Sequence, residues 1–310
     1  MALWITESGL AKLNPASIGD GVLVKTLFSG ISRGTEKLVF EGLVPESEST
    51  SMRCHGQQGE FSFPIKYGYC SVGNVLEGPL AGQIAFCLHP HQNIFRADQQ
   101  VLHPLPKGLP PERAVLAANM ETALNITWDS KVSPDEKVAV IGAGVIGSLA
   151  AYLLSKTSTN VTLIDINPSR RPLADQLGIT FAETSENLGE FGLVVHASAT
   201  ESGLNQAIEL CGYEGRIIEA SWFGEQKVSL SLGGVFHSKR LSIKSSQVGG
   251  IAPWMKTDWN YQKRMGRALE LLIDPVLDCL ISGESEFENA AADYAQVLND
   301  PETLCHRLRY

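Results

Sequence analysis

Apolar positions cluster most tightly in the middle of the chain. Lys137 to Ile141 (KVAVI) is a short continuous apolar run, which reads as a β-strand buried on both faces. From Val145 to Lys156 the apolar residues Val145, Ile146, Leu149, Ala150, Leu153 and Leu154 recur at the spacing of one helical face. Four further apolar runs follow: Val161 to Ile166, Leu193 to Ala197, Arg216 to Ala220 and Leu241 to Ser245. Helical patterns separate the first four strands, so this region predicts a doubly wound parallel sheet. The region before it differs. Residues 1–118 carry short β-like runs (GVLVKTLFSG, YGYCSVGNVLEG, GQIAFCLHP) broken by Gly and Pro, which predicts a β-rich, partly open barrel. Glu112 to Trp128 and Tyr261 to Ile273 read as helices. The predicted organisation is therefore an α/β chain in which 119–250 forms the sheet domain and 1–118 with 251–310 forms the β-rich domain.

The joint between the first strand and its helix carries the strongest chemical signal. It reads Gly142-Ala-Gly144-Val145-Ile146-Gly147. Gly142 permits a tight turn, Gly144 admits backbone N–H groups to a pyrophosphate, and Gly147 lets the helix lie close on the strand, with Val145 and Ile146 opening the helix toward the phosphates. Asp165 ends the second strand, where a carboxylate accepts hydrogen bonds from the adenosine ribose hydroxyls and disfavours a 2′-phosphate. Arg170 and Arg171 follow, and arginines there can hold a 2′-phosphate. Asp165 decides the reading for NAD over NADP. A methyltransferase is the nearest competitor, but its loop usually places an acid before the first glycine, where this chain has Ile141.

Composition narrows the partners. The 310 residues are 44% hydrophobic and 19% charged, enough to fill two cores. With 25 Lys and Arg against 34 Asp and Glu the formal net charge is −9, which argues against nucleic acid or an anionic membrane surface as the main partner; a small-molecule substrate is the expected partner. No membrane-spanning run or basic leader is evident, so a cytoplasmic location is the expectation. The six cysteines form no CxxC pair, and His89-Pro-His91 lacks metal-ligand company. No metal site is expected.

A β-rich domain, an inserted nucleotide domain and a returning C-terminus together resemble the medium-chain dehydrogenase/reductase superfamily, the zinc-type alcohol dehydrogenase-like proteins. The local signatures stand in order: Gly30-Ile-Ser-Arg-Gly-Thr-Glu-Lys37 resembles the family's substrate-site loop, and Gly68-Tyr-Cys-Ser-Val-Gly-Asn-Val75 its G-H-E-x-x-G-x-V segment. The loop variant looks most like the bacteriochlorophyllide-oxidising branch. The resemblance implies a GroES-like barrel, a Rossmann domain, hydride transfer in the cleft between domains and a homodimer. It also implies where catalytic zinc would bind, and those positions here read Ser32, Tyr69 and Ala118, which are poor zinc ligands. A zinc-free dehydrogenase or reductase is the expectation.

Without zinc, a side chain must handle the proton. Tyr69 replaces the zinc-binding histidine and is the leading candidate, set against simple packing in a barrel strand. Thr35 and Lys37 occupy the positions of proton-relay groups, although Lys37 can equally be a solvated surface charge. Glu121 interrupts an apolar helix beside the expected nicotinamide contact Thr122, and serves as acid or base or pairs with an arginine. The resemblance also assigns Arg33 to the pyrophosphate and Arg170 to the adenosine ribose. Ser198, Ala220 and Gln247 are further cofactor contacts, and Ser32 and Trp222 shape the substrate pocket. A catalytically silent dinucleotide-sensing or scaffold protein of the same fold is the alternative function.

Overall fold

The computed structural model describes residues 1–310. Its contacts divide the chain into two compact units, residues 1–118 with 265–310 and residues 119–264.

The first unit is built on two sheets. β1 (Ala2–Glu7), β2 (Leu10–Asn14), β4 (Gln58–Gly59) and β5 (Ile65–Lys66) form a four-stranded sheet in the order β2-β1-β5-β4. The second sheet is centred on the long β3 (Val22–Ser32) and includes β6 (Ser71–Val75), β7 (Ile84–Cys87), β8 (Ile94–Ala97) and β9 (His103–Pro104). Val24, Val75, Ala85, Cys87 and Phe95 fill the core beneath it. The segment resembling a substrate-site loop is instead the end of β3 followed by helix α1 (Arg33–Glu41). Helix α1 closes on Gly42 in the left-handed conformation, whose N–H satisfies the free carbonyls of the last turn.

The expected single helix from Glu112 is two helices. α2 (Pro111–Ala114) ends in a tight turn in which Leu116 donates to the Arg113 carbonyl at 3.0 Å, and α3 (Ala117–Ser130) follows.

The second unit is a six-stranded, wholly parallel sheet. Its strands are β10 (Val138–Ile141), β11 (Val161–Ile164), β12 (Thr180–Ala182), β13 (Phe191–His196), β14 (Cys211–Glu219) and β15 (Ser242–Ser245), in the order β12-β11-β10-β13-β14-β15. α4 (Val145–Ser155), α5 (Arg171–Leu177) and α6 (Glu201–Leu210) form the crossovers. All four residues of β10 are buried, as a strand covered on both faces requires. This is the doubly wound order, and it reverses between β10 and β13, which is where such sheets bind dinucleotides, at the carboxyl ends of the strands. The three-residue β12 was not evident from the apolar pattern. β11 stops at Ile164 rather than Ile166, because the Asp165 carboxylate takes the Asn167 N–H at 2.8 Å and turns the chain.

The second unit also extends past the expected boundary at 250. The Arg264 guanidinium donates to Glu121 (3.0 Å), Asn125 (2.7 Å) and the Val248 carbonyl (2.5 Å), and the Trp254 indole donates to the Trp128 carbonyl at 2.9 Å. These bonds tie residues 251–264 to α3. The chain then runs through α7 (Tyr261–Leu271) back into the first unit. There β16 (Ile281–Glu286), α8 (Ala290–Asn299) and β17 (Cys305–Arg309) complete the larger sheet, with β17 pairing antiparallel to β3.

Candidate active site

In the second unit, the glycine turn has the geometry its spacing predicts. Gly142 has φ +103°, a conformation that a side chain rarely adopts, and a Cβ on Gly147 would stand 1.8 Å from the Gly142 carbonyl oxygen. Gly147 is therefore obligatory for the contact between α4 and β10. A Cβ on Gly144 would meet nothing within 4 Å, and Gly144 is exposed. It fronts open space at the helix N-terminus, as a pyrophosphate cradle requires. The Asp165 carboxylate accepts from the Ala143 N–H at 2.6 Å as well as from Asn167. A carboxylate has about four acceptor positions, so two remain for ribose hydroxyls. The chain thus fits a dinucleotide.

The remaining cofactor candidates in this unit scatter more widely. Arg170 is buried at 7% exposure, at the end of a single 3₁₀ turn, so its head is not the free surface cation that a solvated phosphate clamp would use. Thr122 sits half-buried on α3. Gln247 is exposed and its side-chain oxygen accepts from the Gly249 N–H at 2.6 Å. Ala220 and Trp222 follow β14 and are half-buried. Glu121 is drawn into the pairing with Arg264. Burial raises its pKa, and the Arg264 charge and hydrogen bond oppose that rise. Of the two roles weighed for Glu121, the arginine pair is the one the structure contains.

Beside the glycine turn lies a polar cluster that the sequence pattern did not reveal. His196 and Glu219 end adjacent strands in direct register. The fully buried imidazole hydrogen-bonds through Nδ1 to Glu219 Oε2 and through Nε2 to Ser198 Oγ, both at 2.7 Å. A histidine closing the apolar run LVVH and a glutamate closing RIIE were the available signals. Reading them together required the strand register.

In the first unit, Tyr69 donates its phenol to Ser32 Oγ at 2.6 Å. Burial, and then Cys70 and Glu36, push its pKa well above the usual tyrosine value, while hydrogen bonds with Ser32 and Thr35 pull the other way. Tyr69, Ser32 and Thr35 therefore form one cluster whose phenol stays protonated. Lys37 is not part of it. Its ammonium faces Glu41 one helical turn on, at 3.6 Å and partly exposed, so the surface-charge alternative describes it. Arg33 donates its Nε–H to the Leu298 carbonyl at 3.0 Å, which uses one of the five guanidinium N–H groups.

Glu36 and His91 are the functional neighbours that sequence reasoning passed over. Glu36, fully buried, accepts from the Ser32 N–H (2.7 Å) and from the Tyr294 phenol (2.6 Å), and pairs with His91 Nε2 at 2.9 Å. His91 Nδ1 lies 2.7 Å from Ser29 Oγ. The carboxylate thereby fixes the backbone under Ser32. His89-Pro-His91 was weighed only as a metal site, whereas His91 is a buried partner for a carboxylate.

The residues at the family's zinc positions do not fit that ion. Ser32 is occupied by Tyr69, Ala118 carries a methyl group, and no group of three His, Cys, Asp or Glu residues is arranged to hold a metal.

Comparison with known proteins agrees with this fold. Residues 137–194 match the family model for the NAD binding domain of 3-hydroxyacyl-CoA dehydrogenase. The chain is 25% identical over 204 residues to (R,R)-butanediol dehydrogenase of Bacillus subtilis, covering 64% of this chain and 55% of that protein. The matched segment thus spans about half the length of that relative. It is 23% identical over 319 residues to 2-desacetyl-2-hydroxyethyl bacteriochlorophyllide A dehydrogenase of Rhodobacter capsulatus, covering 96% of this chain and 92% of that one. Among solved structures, a short chain alcohol dehydrogenase from E. coli CFT073 complexed with NADH superposes with a TM-score of 0.80 at 16% identity, covering 100% of this chain and 98% of the other. L-idonate 5-dehydrogenase of Escherichia coli K-12 gives 0.81 at 14% identity, covering 100% and 97%. These relatives and structural neighbours are dehydrogenases, and the chain has the fold of the solved structures.

Proposed function

We infer that the protein is an NAD-dependent oxidoreductase that works without zinc, moving a hydride between the nicotinamide and a carbonyl, alcohol or activated double bond of a small molecule. The observation that carries this reading is the glycine turn, with Gly144 fronting open space and Asp165 anchored beside it. When bound, the nicotinamide supplies the hydride donor or acceptor. Asp165 binds the adenosine ribose and disfavours a 2′-phosphate, favouring NAD over NADP.

The chain's own residues must handle the proton. The phenol of Tyr69, kept neutral by burial and oriented by Ser32, is a donor suited to a developing alkoxide. In the reverse direction the phenolate left by that donation takes the proton of the alcohol, with the Ser32 and Thr35 hydrogen bonds favouring the charged form. Glu36 positions Ser32 through the backbone N–H. The family's zinc would polarise the same oxygen, and Ser32, Tyr69 and Ala118 favour a phenol doing so instead.

No helix is long and apolar enough to cross a membrane. The edge strand β15 leaves one side of the six-stranded sheet unpaired, which supports a homodimer joined there. Reduction of NAD followed at 340 nm, with a panel of vicinal diols, polyols, sugar acids and hydroxyethyl-bearing tetrapyrroles, tests the activity. Turnover by wild type that is lost in Tyr69→Phe is the expected result.

A further inference from the structure

The cluster at the ends of β13 and β14 does more than satisfy buried polar groups. Glu219 Oε2 lies 2.7 Å from His196 Nδ1, and His196 Nε2 lies 2.7 Å from Ser198 Oγ. The carboxylate fixes the imidazole tautomer with N–H on Nδ1, which leaves the Nε2 lone pair to accept from the serine hydroxyl. The second oxygen of Glu219 is held by the Ser221 N–H at 2.7 Å, so the acid is itself oriented. This is the arrangement of nucleophile, base and orienting acid by which acyl-transfer sites are recognised on unrelated folds.

The backbone around Ser198 agrees. Ser198 stands on a sharp turn between a strand and a helix at the carboxyl edge of a parallel sheet, and the next residue, Ala199, is held at φ +53°. A left-handed alanine is strained, and such strain collects at sites of chemistry. Thr200 caps α6 by accepting from the Gly203 N–H at 3.0 Å and also lies 2.9 Å from Ser198 Oγ. Helix α6 packs directly on the Ser198–His196 pair, and only a glycine fits there. A Cβ on Gly203 would come within 2.3 Å of Ser198 Oγ and 2.8 Å of His196 Nε2.

We propose that Ser198, His196 and Glu219 form a catalytic triad that cleaves acyl esters, an activity beyond hydride transfer. Ser198 Oγ bonds to the acyl carbon as its proton passes to His196 Nε2. The ester C–O bond breaks and the departing alkoxide takes that proton. Water then adds to the acyl carbon, giving a proton to His196, which returns it to Ser198 Oγ as the acid leaves. The sum is ester plus water giving acid plus alcohol, with no oxidant, reductant or metal.

The test uses the full chain and p-nitrophenyl acetate with no nicotinamide present, so its outcome is independent of the dehydrogenase reading. Wild type releases p-nitrophenol with saturation, and mass spectrometry of the quenched protein finds an acetyl group on the peptide containing Ser198. Ser198→Ala and Glu219→Gln, shown folded by thermal melts, slow hydrolysis by about a hundredfold. Ser202→Ala, which keeps its backbone N–H, retains it. Hydrolysis unchanged in Ser198→Ala, or an acetyl group on any other residue, overturns the proposal. Absence of acylation in wild type does so even if every variant fails to fold.

Discussion

Asp165 accepts a hydrogen bond from the Ala143 N–H at 2.6 Å, so the acid at the end of the second sheet strand is clamped to the glycine turn that follows the first. On the proposed function, the ribose acceptor and the phosphate cradle are thereby held in one piece before any ligand arrives. Pre-organisation of this kind reduces the entropy cost of binding.

Asp165→Asn keeps one acceptor oxygen and must give up one of its two backbone bonds or a ribose hydroxyl. Losing a charge-assisted hydrogen bond costs about 1.5–3 kcal/mol, so the Kd for NADH rises by about ten- to a hundredfold. Titration with ADP should show the same loss, because ADP carries only the half that Asp165 recognises. An unchanged ADP affinity would remove Asp165 from the site.

Gly144 and Gly147 should separate stability from binding. Gly147→Ala forces a methyl group to within 1.8 Å of a backbone oxygen and lowers stability by about 3 kcal/mol, read as a lower urea midpoint. Gly144→Ala meets no atom within 4 Å and leaves the melt within about 1 kcal/mol of wild type. Its methyl group stands where the pyrophosphate approaches, and NADH affinity falls about tenfold or more.

The Arg264 fork predicts strong coupling across the chain. Arg264→Met leaves Glu121 buried without its partner and destabilises the protein by about 3–5 kcal/mol. Adding Glu121→Gln to Arg264→Met removes the stranded carboxylate and recovers part of the loss. A double-mutant cycle in denaturant reads the difference, and strict additivity would contradict the pairing.

Acid should destabilise the first unit through His89. Its ring stacks on Phe95 at 3.7 Å between centroids, and burial, with the nearby Lys66 charge, lowers its pKa to about 3. The unfolded chain therefore binds a proton from about pH 6.5 downward that the folded chain refuses, and stability falls as pH drops through that window. Between pH 7 and 4.5 the loss from this residue is about 2–3 kcal/mol, at about 1.4 kcal/mol per pH unit below 6.5. His89→Gln should show a correspondingly shallower acid slope in urea melts, whatever its stability at pH 7.

How much of this was legible in the sequence follows from how local each feature is. The glycine turn, its flanking strand and helix, and Asp165 lie within one stretch of chain, and each obeys a spacing rule. The Tyr69 cluster was reachable because Ser32 and Tyr69 both fall in motifs that resemble known ones. Three features were not reachable. The Glu36–His91 pair joins a helix to a strand-flanking loop, and nothing in HPH points to its partner. His196 and Glu219 meet only once the register of two parallel strands is known. Arg264 lies in a stretch without sheet periodicity, and its bonds to Glu121 and Asn125 carry residues 251–264 into the nucleotide unit. Lys37 and Arg33 were assigned by their positions in a motif, and both lie in a helix where a loop was expected, with Lys37 facing Glu41 and one Arg33 N–H on the Leu298 carbonyl.

The most direct test is a calorimetric titration of chelator-treated, metal-free protein with NADH and then NADPH. The account predicts saturable binding of one NADH per chain, a weaker response to NADPH, and no change in either when zinc is restored. Failure to bind NADH, or binding that appears only after zinc is added, would contradict it.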